Sequence, residues 1–222
     1  MARIGLDPVL LGTVVTTAYT VTAAKQSTLI EINLVNTDTM AGRTPEVYLV
    51  PSGQSSQDKY RIIGGDNSKA AEAGAGGNRI VLRFRQFLES GDFIQWKADA
   101  ANKITGWIGV VEDSEDNTKY RNVDADFLGV ALATLLTVAA QKQATLIEMI
   151  AHNTDTVARD YTVHLVPDGG AAGDANKIIT KESLDPGETI ISLWNLHRAA
   201  AVTVQAQASV ASKVVAKLSV LE

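Results

Sequence analysis

The sequence predicts an all-β protein built from two tandem homologous antiparallel β-sandwich domains with a jelly-roll-like arrangement of strands. Two observations lead to this fold class. Short segments of alternating apolar and polar residues recur along the chain, and turns such as PSGQ, ESGD and DPGE separate them. In addition, residues 25–39 and 142–156 are nearly identical and share KQ, TLIE and NTDT. The length of 222 residues is sufficient for two domains of this kind.

The similarity between the two halves extends well beyond this one stretch. Three further pairs of segments match: LLGTVVTTAYTV with FLGVALATLLTV, VYLVP with VHLVP, and GWIGVVE with AKLSVLE. This predicts the tandem duplication of a whole domain with seven or eight strands in each copy. Between the copies, residues 113–126 are polar and nearly free of aliphatic side chains, which is typical of an exposed linker. We therefore expect domains at 1–112 and 127–222.

The repeated stretch predicts a strand followed by a turn. Strict alternation places Ile30, Ile32 and Leu34 on one apolar face, and Glu31 on the opposite face toward solvent or a partner. Glu148 repeats Glu31, and a surface or interface salt bridge is the expected role of both. NTDT follows the strand directly, and its Asn and Asp side chains favour a turn closed by local hydrogen bonds.

Composition excludes several classes of protein. The net charge of −5 and the absence of a basic block disfavour direct binding of nucleic acid. The chain has no cysteine, no secretory signal and no apolar run of membrane-spanning length. We expect a protein that is made in a reducing cytoplasm and does not enter a membrane.

No motif in the chain predicts catalysis, a cofactor or a bound metal. The glycine-rich stretch 71–78 lacks the Lys-Ser or Lys-Thr of a phosphate-binding loop, and the second copy replaces it with a shorter turn. The three histidines all lie in the second copy. His152 and His164 share the outward direction of their strands and could approach each other, but a zinc site needs three or four converging ligands.

The two copies differ most on their outward faces, and these positions are the predicted contacts with partners. Arginines and a tryptophan line this face in the first copy, whereas the second copy has Thr189, Ile191 and Leu193 in place of the arginines and Lys217 in place of the tryptophan. Such a face requires cover by a partner or by the sister domain; alternatively, the tryptophan covers its own domain and the arginines are solvated. The candidate interface residues are Arg79, Arg83, Arg85, Trp107, Tyr48, Ile150, His152, His164, Ile191 and Leu193.

Several motifs together resemble small β-sandwich structural proteins of tailed bacteriophages. They are the early L-x-G-x-V, the TLIEINLVNTD stretch, VYLVPSG, LESGDFIQW and GWIGVVE; the second copy keeps NTD and VPDGG but has HRAAA in place of SGD. The resemblance covers both copies. It implies a non-enzymatic role in the virion, as a capsid decoration or cement protein of jelly-roll type, or as an adaptor or tail component.

From these features we expect a capsid decoration or cement protein that stabilises the assembled shell through its outward faces. Its expected partners are the major capsid protein or other virion proteins, and further copies of itself in a homo-oligomer. A tail or neck component is the alternative within the same class. A carbohydrate-binding β-sandwich module is the alternative of another class, and it would need a row of exposed aromatic rings, with Trp107, Tyr48 and Tyr161 as candidates.

Overall fold

The fold was established from a computed structural model, which describes residues 2–38, 41–64, 79–114 and 120–222. Nearly all regular structure in these residues is β-strand, with two single-turn 3-10 helices, Asp58–Tyr60 and Asp174–Asn176. The glycine-rich stretch 71–78 lies outside the described residues. No helix in the described part of the chain is long and apolar enough to cross a membrane.

Nine strands belong to the first half of the chain. They are β1 (Ala2–Gly5), β2 (Val9–Leu10), β3 (Thr16–Thr20), β4 (Lys25–Asn36), β5 (Pro45–Val50), β6 (Arg61–Ile63), β7 (Arg79–Leu88), β8 (Phe93–Ala98) and β9 (Ile104–Ser114). Eight strands belong to the second half. They are β10 (Tyr120–Phe127), β11 (Ala133–Thr137), β12 (Ala144–Asn153), β13 (Arg159–Val166), β14 (Lys177–Leu184), β15 (Thr189–Arg198), β16 (Thr203–Ala208) and β17 (Val214–Leu221).

The strands form four antiparallel sheets, two in each half. Sheet I has the order β1-β9-β4-β7, with β2 also paired to β9, and sheet II has the order β3-β8-β5-β6. Sheet III has the order β10-β17-β12-β15, and sheet IV the order β11-β16-β13-β14. In both halves the first strand lies beside the last, and the last but one pairs with β3 in the first half and with β11 in the second. This is the strand order of a jelly roll, so the predicted fold class is confirmed.

Each half has its own apolar core between its two sheets. Trp96 and Ile94 of sheet II face Leu29, Ile32 and Leu34 of sheet I in the first core. A second core contains the corresponding residues of the other half, including Leu146, Met149 and Val204. The same strand order and the same register occur in both halves, as the repeat predicts. The origin of the halves by duplication, and the ability of each to fold alone, stay predictions.

The strict alternation expected around Ile30 is wrong. A β-bulge between Leu29 and Glu31 interrupts the pairing of β4 with both of its neighbours. The extra residue reverses the side-chain direction on one side of the bulge. Leu29 therefore enters the core beside Ile32, whereas Ile30 is 41% exposed. A bulge at the corresponding place in β12, between Leu146 and Glu148, has the same effect on Ile147.

The described residues of the NTDT motif, 36–38 and 153–156, close a turn in both halves, as predicted. The Asn153 side chain accepts a hydrogen bond from the backbone N–H of Asp155 (2.9 Å) and donates to the carbonyl of Val157 (2.9 Å). The Asp155 carboxylate then binds the guanidinium of Arg159 at the start of β13 (2.5 Å). Asn36, Asp38 and Arg43 make the corresponding bonds in the first half. The motif closes a turn and fixes the entry of the next strand.

The predicted exposed linker, 113–126, is mostly strand in the structure. Residues 113–114 complete β9, and β10 begins at Tyr120. β10 resembled a linker because its polar residues Arg121, Asp124 and Asp126 are exposed. Asn122, by contrast, accepts a hydrogen bond from the Gln86 side chain (3.1 Å). The domain boundaries at 112 and 127 stay a prediction, whereas the strands of sheets III and IV start at Tyr120.

Candidate interaction surfaces

The ten candidate interface residues divide into buried and exposed groups. Tyr48, Ile150, His152 and His164 are buried, whereas Arg79, Arg83, Arg85 and Leu193 are exposed and Trp107 and Ile191 are intermediate. Most of the buried ones lie between the two halves of the chain. The sister half, rather than another protein, covers this part of the apolar outward surface.

The outer face of sheet III receives two edge strands of the first half, β6 and β7. We call this contact the junction. The side chain of Ile150 packs in the buried apolar cluster of the first half rather than in the core of its own half. Ile191 packs against the same cluster. A separate buried cluster spans the junction and contains Tyr48, Val50, Tyr60, Ala125 and Val215. Both clusters remove apolar side chains from water, which is the main favourable term in such a contact.

Side chains of sheet III satisfy backbone groups on the edge strands of the first half. The Arg85 N–H donates to the Glu148 carboxylate (2.6 Å), and the Phe87 N–H donates to the Ser219 hydroxyl (2.9 Å). The Thr189 hydroxyl donates to the carbonyl of Ile62 (2.5 Å). An edge strand with unpaired backbone groups is a site for unwanted pairing. Here those groups are used to join the halves.

Glu148 is a carboxyl group held inside the junction. It has 0% exposure, and one of its oxygens has no hydrogen-bond partner among the described residues. Burial raises its pKa to about 7, and the N–H and the charge of Arg85 oppose this rise only in part. Glu148 therefore becomes protonated as the pH falls through about 7, which the expected surface or interface salt bridge did not include.

Lys217 is a second ionisable group buried in the junction, with 2% exposure. Burial lowers its pKa, and three carboxylates oppose that change. Asp124 is the nearest at 3.9 Å, and Asp92 and Glu89 belong to the first half. The Lys217 ammonium group therefore interacts favourably with carboxylates of both halves.

The three histidines do not form a metal site. His152 lies on sheet III and His164 on sheet IV, so their outward side chains point away from each other. Each imidazole has a protein partner: Thr189 for His152 (2.9 Å), Asn176 for His164 (3.1 Å) and Thr145 for His197 (2.7 Å). Burial lowers the pKa of His152 to about 3, and it is neutral at physiological pH. The described residues contain no group of three potential metal ligands.

The outer face of sheet I is the surface that carries the exposed arginines. The Arg79 guanidinium lies over the ring of Trp107, 5.6 Å from its centroid, and donates to the Asn33 side chain (2.5 Å). Trp107 is therefore partly covered by Arg79 of its own half. Arg83 is solvated, with 84% of its side chain exposed, and lies 3.8 Å from the Glu31 carboxylate.

The same face contains an open groove of about 380 Å³. Its lining residues come from β1, β4 and β9 and are Arg3, Ile4, Gly5, Ile30, Gly109, Val110 and Val111. The groove is mainly apolar because isoleucine and valine side chains line it, and it is open because Gly5 and Gly109 have no side chains to fill it. Nothing in the sequence motifs indicated it, since it depends on the bulge that exposes Ile30.

No protein-family model and no curated protein matches the chain. The structure of the Gx strain of infectious bursal disease virus is 12% identical, covers 90% of this chain and 58% of that chain, and has a TM-score of 0.30. The STIV MCP is 7% identical, with 100% and 96% coverage and a TM-score of 0.32. Allantoicase from Saccharomyces cerevisiae is 10% identical, with 89% and 74% coverage and a TM-score of 0.29.

These similarities are weak, and they include an enzyme as well as viral proteins. The chain also spans less than two thirds of the infectious bursal disease virus chain, at 58%. They therefore carry no argument about what this protein does.

Proposed function

We propose that the protein is a non-enzymatic structural protein of a virus particle, of the tailed-phage type that its motifs resemble. Its role is to bind the assembled shell and reinforce it as a decoration or cement protein. One observation carries the proposal: the junction joins two jelly rolls into one block and leaves the arginine-bearing face of sheet I free. A block of this kind is suited to clamping neighbouring subunits rather than to enclosing a substrate.

The chemistry of the free face defines the partner that it fits. Arg79, Arg83 and Arg85 are exposed on a chain with a net charge of −5. A local cluster of guanidinium groups favours carboxylates on the partner, and Trp107 supplies an aromatic surface beside them. The proposed partner is the major capsid protein or another virion protein with an acidic surface. Many copies on one shell make weak single contacts sufficient.

The location of the protein in the particle tests the proposal. We expect particles of the producing virus, which are assembled in the host cytoplasm, to contain the chain by mass spectrometry and to show it distributed over the shell by cryo-electron microscopy. Particles that lack the chain would refute a virion role. Density confined to one vertex would instead support the tail or neck alternative.

A matched pair of variants tests the binding surface. Arg83→Glu reverses an 84% exposed charge on the free face, and Lys181→Glu makes the same change at a 78% exposed side chain of the second half. We expect Arg83→Glu to reduce the occupancy of shells that lack the protein when it is added back, and Lys181→Glu to leave it unchanged. Equal occupancy for both variants would contradict this choice of surface.

The structure offers little support for the carbohydrate-binding alternative. Tyr48 and Tyr161 are buried, and their hydroxyl groups bond to Glu46 and Glu182. Trp107 is the one of the three candidate rings that is not buried, and the Arg79 guanidinium lies over it. A row of exposed rings that could stack on sugars is not formed by these three residues.

A further inference from the structure

Each half of the chain has an edge and an outer sheet face of the kinds that meet in the junction. The junction uses the edge of the first half and the face of the second, so the face of the first half and the edge of the second are left free. The edge of the first half, formed by β6 and β7, packs on the outer face of sheet III in the second half. Because both halves have the same strand order, the outer face of sheet I and the edge formed by β14 and β15 are the corresponding free surfaces. We propose that β15 of a second copy of this chain packs on the outer face of sheet I over β1 and β9, on the side away from the arginines of β7. The contact between copies would then repeat the junction within each copy.

The register of the sheets identifies the groups that correspond. β12 and β17 place Glu148 opposite Ser219, and β4 and β9 place Glu31 opposite Gly109 in the same position. Glu148 accepts the Arg85 N–H in the junction. The Glu31 carboxylate, whose side chain is 32% exposed, already accepts a hydrogen bond from the Asn33 side chain, and its second oxygen stands where it can accept an N–H.

The free edge presents the matching donors. Phe87 pairs with Thr28 on β4, and His197 pairs with Thr145 on β12, which makes these two residues equivalent. The N–H of Asn195 therefore takes the place of the Arg85 N–H, two residues earlier on the strand. The N–H groups of Asn195 and His197 both lie on β15, the outer strand of sheet III, where the antiparallel pattern points them away from β12.

The groove on sheet I gives independent support, because it lies where β7 lies on the other half. Gly5 pairs with Gly109 in sheet I, as Asn122 pairs with Ser219 in sheet III. In the junction Asn122 and Ser219 bind Gln86 and Phe87 of β7, whereas the two glycines leave that space open.

Ile30 marks the apolar surface that β15 would cover. Ile30 at the groove is 41% exposed, whereas its counterpart Ile147 beside the junction is partly buried. Placing β15 in the groove would remove Ile30 from water, and Leu193 would stay outside the contact like its counterpart Arg83, whose side chain is 84% exposed. A contact between two different surfaces is heterologous, so it generates a closed ring or, if the rotation does not close, a filament.

Two substitutions, each on a surface that is free in the single chain, test the inference. Asn195→Pro removes the N–H that would donate to Glu31, and an edge-strand N–H that points away from its neighbouring strand can be lost with little effect on the sheet. Gly109→Glu fills the groove, and a Cβ at Gly109 has its nearest neighbour at 4.0 Å. Val130→Glu, at a 61% exposed valine elsewhere on the second half, is the control for an added charge.

We expect sedimentation velocity to show oligomers of the unmodified chain whose dissociation constant rises at least about tenfold in either variant, but not in the control. Circular dichroism spectra and thermal midpoints should stay unchanged. A chain that is monomeric at every concentration would overturn the inference, as would variants that both keep the oligomer.

Mixing the two variants gives a more specific result. Asn195→Pro keeps an intact groove and Gly109→Glu keeps an intact edge, so a mixture should form a one-to-one dimer that does not grow further. Failure of the mixture to associate, while the unmodified chain does, would show that the oligomer uses other surfaces. This inference goes beyond the proposed function, and since the experiment uses the isolated chain, its result does not depend on binding to a shell.

Discussion

Replacing Glu148 by Gln is expected to remove a pH dependence of stability that originates in the junction. The carboxylate of Glu148 is fully buried and receives one hydrogen bond, from the Arg85 N–H. Gln keeps an oxygen that can accept this bond but never carries a charge. The substitution therefore separates the cost of burying the charge from the contribution of the hydrogen bond.

The size of the effect follows from the pKa. Burial raises the pKa of Glu148 from 4.5 to about 7 in the folded chain. Between these two values the folded state binds more protons than the unfolded state, so the free energy of unfolding falls as pH rises. The contribution is fully present below about pH 4.5 and is lost by about pH 8, and a shift of this size corresponds to about 3 kcal/mol.

Urea unfolding at a series of pH values from 5 to 8 measures this contribution. The quantity to follow is the free energy of unfolding of the Gln variant minus that of the unmodified chain, in which the other ionisable groups cancel. We expect this difference to rise by about 3 kcal/mol across the series. The unpaired amide of Gln costs about 1–3 kcal/mol at every pH and shifts the whole curve without changing its slope. A difference that does not vary with pH would refute a buried, raised Glu148.

Three further predictions concern the junction and the turns. Ile150→Ala should lower the free energy of unfolding by about 2–5 kcal/mol in urea melts, because it leaves a cavity in the core of the other half; a cost below 1 kcal/mol would contradict that packing. Ser219→Ala should cost about 1–3 kcal/mol and speed amide exchange at Phe87, whose N–H loses its acceptor; unchanged exchange would argue against the bond. Asp38→Ala and Asp155→Ala should each lower the thermal midpoint, by similar amounts of about 1–3 kcal/mol in free energy, and a loss in one half alone would contradict the equivalence of the two turns.

Much of the fold could be predicted from the sequence because its signals are local. Alternation marks the strands, and the repeat of NTDT marks turns that the side chains of Asn153 and Asp155 close on themselves. Such bonds form between residues a few positions apart, so the sequence contains both partners. The repeat predicted a jelly-roll-like fold class, but it did not predict which strands pair with each other.

Contacts between distant residues could not be predicted in the same way. Parity alone placed Ile30 in the core, but the bulge at this position exposes it. Polar composition made 113–126 resemble a linker, although Asn122 lies in a strand and binds Gln86 of the other half. In both cases the deciding interaction joins positions far apart in the chain, and nothing local in the sequence records it.

The sequence by itself determined that the chain is all-β, that it contains one pattern twice, and which positions differ between the two copies. Only the tertiary structure decided what those differences do. Ile150 and Asn33 occupy equivalent positions, yet Ile150 fills the core of the sister half, while Asn33 holds Arg79 on an open face. The physical reason is that one edge can cover only one face. The sequence contains the residues of both outer sheet faces, but the packing of the two halves determines which face is buried.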